Sequence, residues 1–294
     1  MRLFDAHNHL QDERLKPRLD EIVAEAQQQG IEKMVVNGSC EADWNDVLKL
    51  AKRYPKLVIP SFGFHPWYVS ERTDAWRDTL LTMLDAGPAG VGEIGLDKWI
   101  LERQQQRAGN HEAGDGPEKG RATTSRRTAD LEEQEEVFTC QLRLAAQRNS
   151  PASIHCLQAW GRLLEILKRE PKPKCGFVLH SFGGPKEMIA ELNELGAYFS
   201  LPGYFAHERK SRQRDAFQRV PLERLLIETD APDQSLPGKR VRFPLNDNEG
   251  KPINHPANLT KVYEFGAEVT GLELESLTHI VEGNFNRIFG HLRD

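Results

Sequence analysis

Cysteine is scarce in this chain of 294 residues, and what there is does not cluster. Cys40, Cys140, Cys156 and Cys175 are far apart and form no CxxC pair, which argues against a zinc ribbon or a dense disulfide framework. They read as reduced, mostly buried thiols. Long apolar runs are missing as well: no stretch approaches the about 18 residues that would span a membrane. Met1 to Leu10 does not have the composition of a secretory signal, so the cytoplasm is the expected compartment and no membrane association is expected. Nor is there an excess of positive charge. A net charge of −5 argues against a protein that coats nucleic acid non-specifically, while leaving room for a local basic patch.

What the sequence does have is alternation. Eight short apolar runs, many rich in β-branched residues, are each followed by a longer amphipathic or polar stretch. They are Leu3–Asp5, Met34–Asn37, Leu57–Phe62, Gly90–Ile94, Ala152–His155, Phe177–His180, Ala197–Leu201 and Leu225–Thr229. Between them apolar residues recur at helical spacing, as in Phe138, Leu142, Ala145 and Ala146, or Ala159, Leu163, Ile166 and Leu167. This is the signature of βα units around a parallel sheet. Eight alternations, followed by a helical stretch from Pro256 to Thr270 and a last segment through Phe289, suit a closed α/β (β/α)8 barrel better than an open doubly wound sheet. The whole chain, 1–294, reads as one barrel domain. One region breaks the rhythm: about 103–127 is polar, Gly-rich and aperiodic, and reads as a mobile insertion.

In such a barrel the loops at the C-terminal ends of the strands converge on one mouth, where ligands and catalysis sit. The first strand ends in Asp5-Ala6-His7-Asn8-His9, the third runs into Gly63-Phe64-His65-Pro66, and the fourth carries Glu93. The fifth ends at His155, the sixth at His180 and the eighth at Asp230. In an extended segment side chains alternate with period 2, so His7 and His9 point to one side and can grip one cation. Taken singly, each of these residues has a plainer reading, as a hydrogen-bonded barrel histidine or, for Asp230, a cap. Together they carry weight, because buried carboxylates need compensating partners. Six N and O ligands suit two divalent ions bridged by a carboxylate. Glu93 is the natural bridge, with His7, His9 and Asp230 on one ion and His155 and His180 on the other. The same strand contains Gly90-Val91-Gly92-Glu93-Ile94-Gly95, which matches GxGxxG in letters only. A dinucleotide site needs those glycines at a strand-to-helix turn, and here they lie within the strand.

These residues resemble the TatD-type metal-dependent deoxyribonucleases within the amidohydrolase-like barrels. The matching blocks run through nearly the whole chain: FDAHNHL from Phe4, GFHP from Gly63, VGEIGLD from Val91, SIHC from Ser153, LHSFGG from Leu179, ETDAP from Glu228, then Asn254 to Leu259 and NFNRIFG from Asn284. The resemblance implies a TIM-type barrel, two divalent cations and hydrolysis of DNA phosphodiester bonds, often as a 3′-to-5′ exonuclease. It also implies ligand roles for His7, His9, Glu93, His155, His180 and Asp230, and a substrate-phosphate role for His65. The chain departs from the family pattern at three places. An Arg and an acidic residue commonly follow the strand-five histidine, where Leu157 and Gln158 stand here, and Asn254-His255-Pro256 replaces the frequent Asn-Glu-Pro.

The expected chemistry is hydrolysis of DNA by two-metal activation of water, with Glu93, Asp230 and His65 as the catalytic side chains and Asp230 as candidate general base. After strand seven, five basic residues (Arg209, Lys210, Arg212, Arg214, Arg219) outnumber Glu208 and Asp215, and Arg209, Lys210 and Arg212 are candidates for binding the substrate. The same bridged metals would serve a deacylase that cleaves an ester or amide such as that of an aminoacyl-tRNA. A non-catalytic binding protein is the remaining alternative, and it should have lost some ligands. Mg²⁺, Mn²⁺ and Zn²⁺ all remain open, since imidazole favours zinc or manganese and carboxylate with water suits magnesium.

Overall fold

A computed structural model describes residues 1–103 and 128–292. The insertion expected at about 103–127 therefore lies, apart from Arg103, outside the described residues. Eight parallel strands make the centre: β1 (Leu3–Asn8), β2 (Ile31–Asn37), β3 (Val58–Ser61), β4 (Val91–Asp97), β5 (Ala152–Leu157), β6 (Phe177–Leu179), β7 (Ala197–Pro202) and β8 (Leu225–Glu228). They pair in sequence order as two arcs, β1 to β3 and β4 to β8. At one junction Phe62 N–H donates to the Gly90 carbonyl at 3.1 Å and Gly92 N–H to that of Phe62 at 3.0 Å. At the other, Asp230 N–H donates to the His7 carbonyl at 2.9 Å and His9 N–H to that of Ala231 at 2.8 Å. The Asp5 carboxylate stitches the same seam by accepting the Thr229 N–H at 2.9 Å. The closed ring is a TIM barrel, the architecture expected from the alternation.

Helices α1 (Leu19–Gln28), α2 (Glu41–Arg53), α3 (Trp76–Asp85), α4 (Leu131–Arg148), α5 (Trp160–Arg169), α6 (Ile189–Glu194), α7 (Ser211–Phe217), α8 (Leu259–Thr270) and α9 (Leu274–Phe289) accompany the strands. Their limits follow local chemistry. In α4 the Asp130 side chain accepts the Glu133 N–H at 2.9 Å, and Asn149 ends the helix in the left-handed region at φ 49°. The apolar stripes predicted for α4 and α5 are buried at Phe138, Leu142, Ala145, Leu163, Ile166 and Leu167. A short antiparallel pair, Leu245–Asn246 with Pro252–Ile253, was not anticipated, because two-residue strands leave no periodic signal.

Alternate strand residues fall into two apolar clusters. Phe4, Val35, Ile59, Val178, Tyr198 and Leu226 form one, capped by Phe285, Ile288 and Phe289 of α9. Their neighbours on the other strand face, such as Leu3, Val36, Ile94, Phe199 and Ile227, pack in the larger cluster with the helices. The C-terminal helix thus plugs the barrel at the end opposite the mouth. All four cysteines are free, with Cys40 and Cys156 buried. Among the described residues no helix is long and apolar enough to cross a membrane.

Candidate active site

Two glycines of β4 make room for what gathers at the mouth. A Cβ on Gly92 would stand 2.7 Å from that of Ser153 and 2.8 Å from the Asn37 side chain. One on Gly95, at φ +144°, would stand 2.0 Å from the His155 carbonyl oxygen. These glycines serve close packing between strands and lie at no helix start.

Glu93 stands at the centre, only 2% exposed. Its two oxygens face different partners. Oε2 lies 3.3 Å from His7 Nε2 and 3.2 Å from His9 Nε2. Oε1 lies 3.1 Å from His155 Nδ1, 2.8 Å from His180 Nε2 and 3.3 Å from His65 Nε2. Asp230 joins the first group, with Oδ1 3.6 Å from His7 Nε2 and 3.5 Å from His9 Nε2. Its other oxygen accepts from Gln234 Nε2 at 2.6 Å. The structure therefore brings together the seven histidines and acids singled out at the strand ends.

Hydrogen-bond partners on the far side of each ring sort the histidines. His9 Nδ1 donates to the Asn37 carbonyl at 2.8 Å, which leaves the Nε2 lone pair facing Glu93 and Asp230. His7 Nδ1 lies 2.8 Å from Ser153 Oγ and 3.1 Å from Asn37 Nδ2, a donor, while its Nε2 faces Glu93. For His155 the roles reverse: Nε2 donates to Asp97 Oδ2 at 3.2 Å and Nδ1 faces inward. Behind His180, Nδ1 faces Glu228 Oε1 at 3.7 Å. Glu228 is itself fixed by Ser181, whose N–H donates at 2.8 Å, and by the Ser200 hydroxyl. His65 is different. Its Nδ1 accepts the Trp67 N–H at 3.1 Å, so a neutral ring carries its proton on Nε2 and presents a donor, with no lone pair there for a cation.

The donor set fits divalent cations. His7 and His9 bring their Nε2 atoms within 3.3 Å, and His155 Nδ1 and His180 Nε2 come within 3.1 Å. Inward lone pairs at such distances need a proton or a cation between them. Charge distribution says the same. Burial pushes the Glu93 carboxyl up, but His180, His65 and His7 outweigh it and hold it well below the carboxylate range. Burial opposes a charge on His9, His155 and His180, yet the carboxylates win. Asp230 and Glu93 raise His9 well above the ordinary histidine value, Glu93 and Glu228 do so for His180, and Asp97 with Glu93 brings His155 up to about 9. Burial keeps His7 and His65 below the ordinary value. Against burial, His9 leads in holding Asp230 low.

Sequence reasoning gave no role to Asp97 or Glu228, the carboxylates behind His155 and His180, although both lie in quoted motifs. The available signal was an acid inside an apolar strand run, two or four residues from another such acid, which demands a partner when buried. The basic residues after β7 do not join the cluster. Arg209 and Lys210 lie over the Tyr204 ring at 5.2 and 4.8 Å, Arg212 is exposed in the first turn of α7, and Arg214 donates to the carbonyls of Phe205 and His207. Of the departures from the family pattern, Leu157 is exposed at the end of β5 and Gln158 follows it in the left-handed region at φ 59°. His255 acts as a cap. Its Nδ1 accepts the Ala257 N–H at 3.0 Å, and its Nε2 faces Glu25 of α1 at 3.1 Å.

A family model described as TatD related DNase matches residues 4–290. Among curated relatives, the uncharacterized metal-dependent hydrolase YjjV of Escherichia coli (strain K12) is 27% identical over 291 residues, 98% of each chain. The 3′-5′ ssDNA/RNA exonuclease TatD of Escherichia fergusonii is 28% identical over 291 residues, 98% of this chain and 99% of that one. The crystal structure of YjjV, a TatD homolog, superposes with a TM-score of 0.79 at 26% identity, covering 98% of both chains. A TatD family hydrolase from Entamoeba histolytica superposes equally well, at a TM-score of 0.79 and 18% identity over 98% of both chains, a likeness of fold.

Proposed function

This chain belongs to the family of TatD-related DNases, and from that premise we propose that it is a metal-dependent phosphodiesterase acting from the 3′ end of DNA, with the whole chain as one functional unit. The observation that carries the reading is Glu93, whose two oxygens address two separate histidine sets. His7, His9 and Asp230 would hold one divalent cation, His155 and His180 a second, with Glu93 between them. When bound, such a pair supplies Lewis acidity toward the phosphoryl group and toward the attacking water.

The remaining work falls to side chains of the protein. Asp230, ionised at neutral pH and oriented by Gln234, accepts the proton of the water. His65 stays neutral, because burial disfavours its charged form, so it acts as an Nε2–H donor to a phosphate oxygen and not as a source of a full proton. Arg209, Lys210 and Arg212, on the segment that leaves β7, offer positive charge to the strand beyond the scissile bond. Asp97 and Glu228 touch no substrate; they fix the ring orientations of His155 and His180 as positioning residues. Asp97→Asn should lower metal affinity or turnover by about 10- to 100-fold, read by calorimetric titration with Mn²⁺ alongside kinetics. Unchanged affinity and unchanged turnover would remove Asp97 from this role.

The test of function is a substrate comparison. A single-stranded DNA oligonucleotide labelled at its 5′ end and an aminoacyl-tRNA are each incubated with the purified protein under Mg²⁺, Mn²⁺ and Zn²⁺. Progressive shortening of the oligonucleotide with the acyl ester intact is expected. Release of the amino acid from an untouched tRNA, with no shortening of DNA, would instead establish a deacylase.

A further inference from the structure

The side chain next to the candidate phosphate donor is an exposed indole. Trp67 lies two residues beyond His65, in the turn Pro66–Glu71 that follows β3. At 40% exposure it is the only exposed phenylalanine, tyrosine or tryptophan among the described residues, the others being buried or half-buried. Two contacts fix its edge. Its Nε1–H donates to Asp97 Oδ2 at 2.6 Å, and its ring meets that of His65 at 5.2 Å and 87°. Trp99, just past the end of β4, lies 6.3 Å from it with the planes only 30° apart. The exposed side chain of Leu157, whose backbone pairs with that of Asp97, adds apolar surface at the same strand ends.

An indole anchored by its N–H and left open to solvent is a rigid π surface. It is one histidine away from Glu93, to which His65 Nε2 lies at 3.3 Å. A phosphate oxygen held by His65 brings the adjoining nucleoside to this surface. An unpaired terminal base has a free face to offer, and stacking on an aromatic side chain accepts any base. We propose that Trp67, backed by Trp99, is the stacking platform for the base next to the scissile phosphate. This rests on the phosphodiesterase reading above.

The experiment compares an oligothymidylate with the same strand carrying an abasic unit at its 3′ end. Wild-type protein should favour the base-bearing strand in kcat/KM by about 5- to 150-fold. Trp67→Leu should bring the two strands to within about 2-fold of each other. Trp67→Phe, which keeps a ring but loses the N–H to Asp97, should restore most of the preference; loss of positioning through Asp97 alone would leave the phenylalanine and leucine variants alike. In parallel, oligothymidylate added to EDTA-treated wild-type protein should quench indole emission more than the abasic strand does, and Trp67→Phe should lose that difference. An undiminished preference in Trp67→Leu overturns the platform. Wild-type protein that cleaves neither strand overturns the nuclease reading, and the quenching of the metal-free protein then decides whether bases stack here.

Discussion

Glu93→Gln should lower kcat/KM on DNA by about 10³-fold or more, the equivalent of losing several kcal/mol of charge stabilisation. Glutamine fills the same volume but offers one carbonyl oxygen where the carboxylate has two. Whichever way the amide turns, its NH₂ group meets one of the two inward-facing histidine sets with protons. Both sets therefore lose the charge of Glu93 and one of them its acceptor as well, and the histidines raised by Glu93, His155 and His180 among them, lose part of what sustains their charge. The strands around it are held by backbone hydrogen bonds and by the two apolar clusters, so the circular dichroism spectrum should be unchanged. Steady-state kinetics with elemental analysis checks the prediction. A variant with full metal content and wild-type turnover would mean that Glu93 bridges nothing.

The second large effect is a stability that falls with pH in the absence of metal while the stabilisation by metal grows. In the metal-free protein His155 has its pKa raised to about 9, against 6.5 for the unfolded chain. A group raised on folding contributes stability that is complete below the unfolded value and disappears as pH climbs through the folded one. For His155 that is worth about 3 kcal/mol, lost between about pH 6.5 and 9. His9 and His180, also raised, add to the loss in the same direction. His7 and His65 are lowered, so their effect is confined to the region below 6.5. Asp5, pushed up to about 7 by burial, completes its own loss by neutrality. Cation binding requires these rings to shed their protons, so affinity grows over the same interval. The unfolding midpoint in EDTA should fall from pH 6.5 to 9 while the gap to the Mn²⁺-loaded protein widens. A flat midpoint in EDTA would show that the histidines are neutral without metal.

How much of this was legible beforehand depended on what leaves a periodic or chemical mark. The eight strands were visible because β-branched runs alternate with helical spacing, and their predicted limits fall within a few residues of the observed ones. β4 continues through Asp97 and β5 through Leu157, beyond the predicted limits, because these residues remain paired in the sheet. Six side chains that the structure gathers around Glu93 stood at or just past predicted strand ends, where barrel geometry concentrates them. The tautomer logic was not legible. That His65 carries its inward proton depends on the backbone turn that brings Trp67 N–H to its Nδ1, and that His9 presents a lone pair depends on the Asn37 carbonyl, 28 residues away in the chain. Likewise nothing in the sequence marks Trp67, and only its exposure sets it apart.

The seam between β8 and β1 has a consequence for how the protein comes into being. Asp230 and its hydrogen bond to the His7 carbonyl are supplied by residues translated long after the first histidines emerge from the ribosome. Until that late segment docks, a nascent chain has the early imidazoles without the acid that completes their side of the centre. With the role proposed here for Asp230, cutting nucleic acid would have to wait until synthesis had passed the final strand.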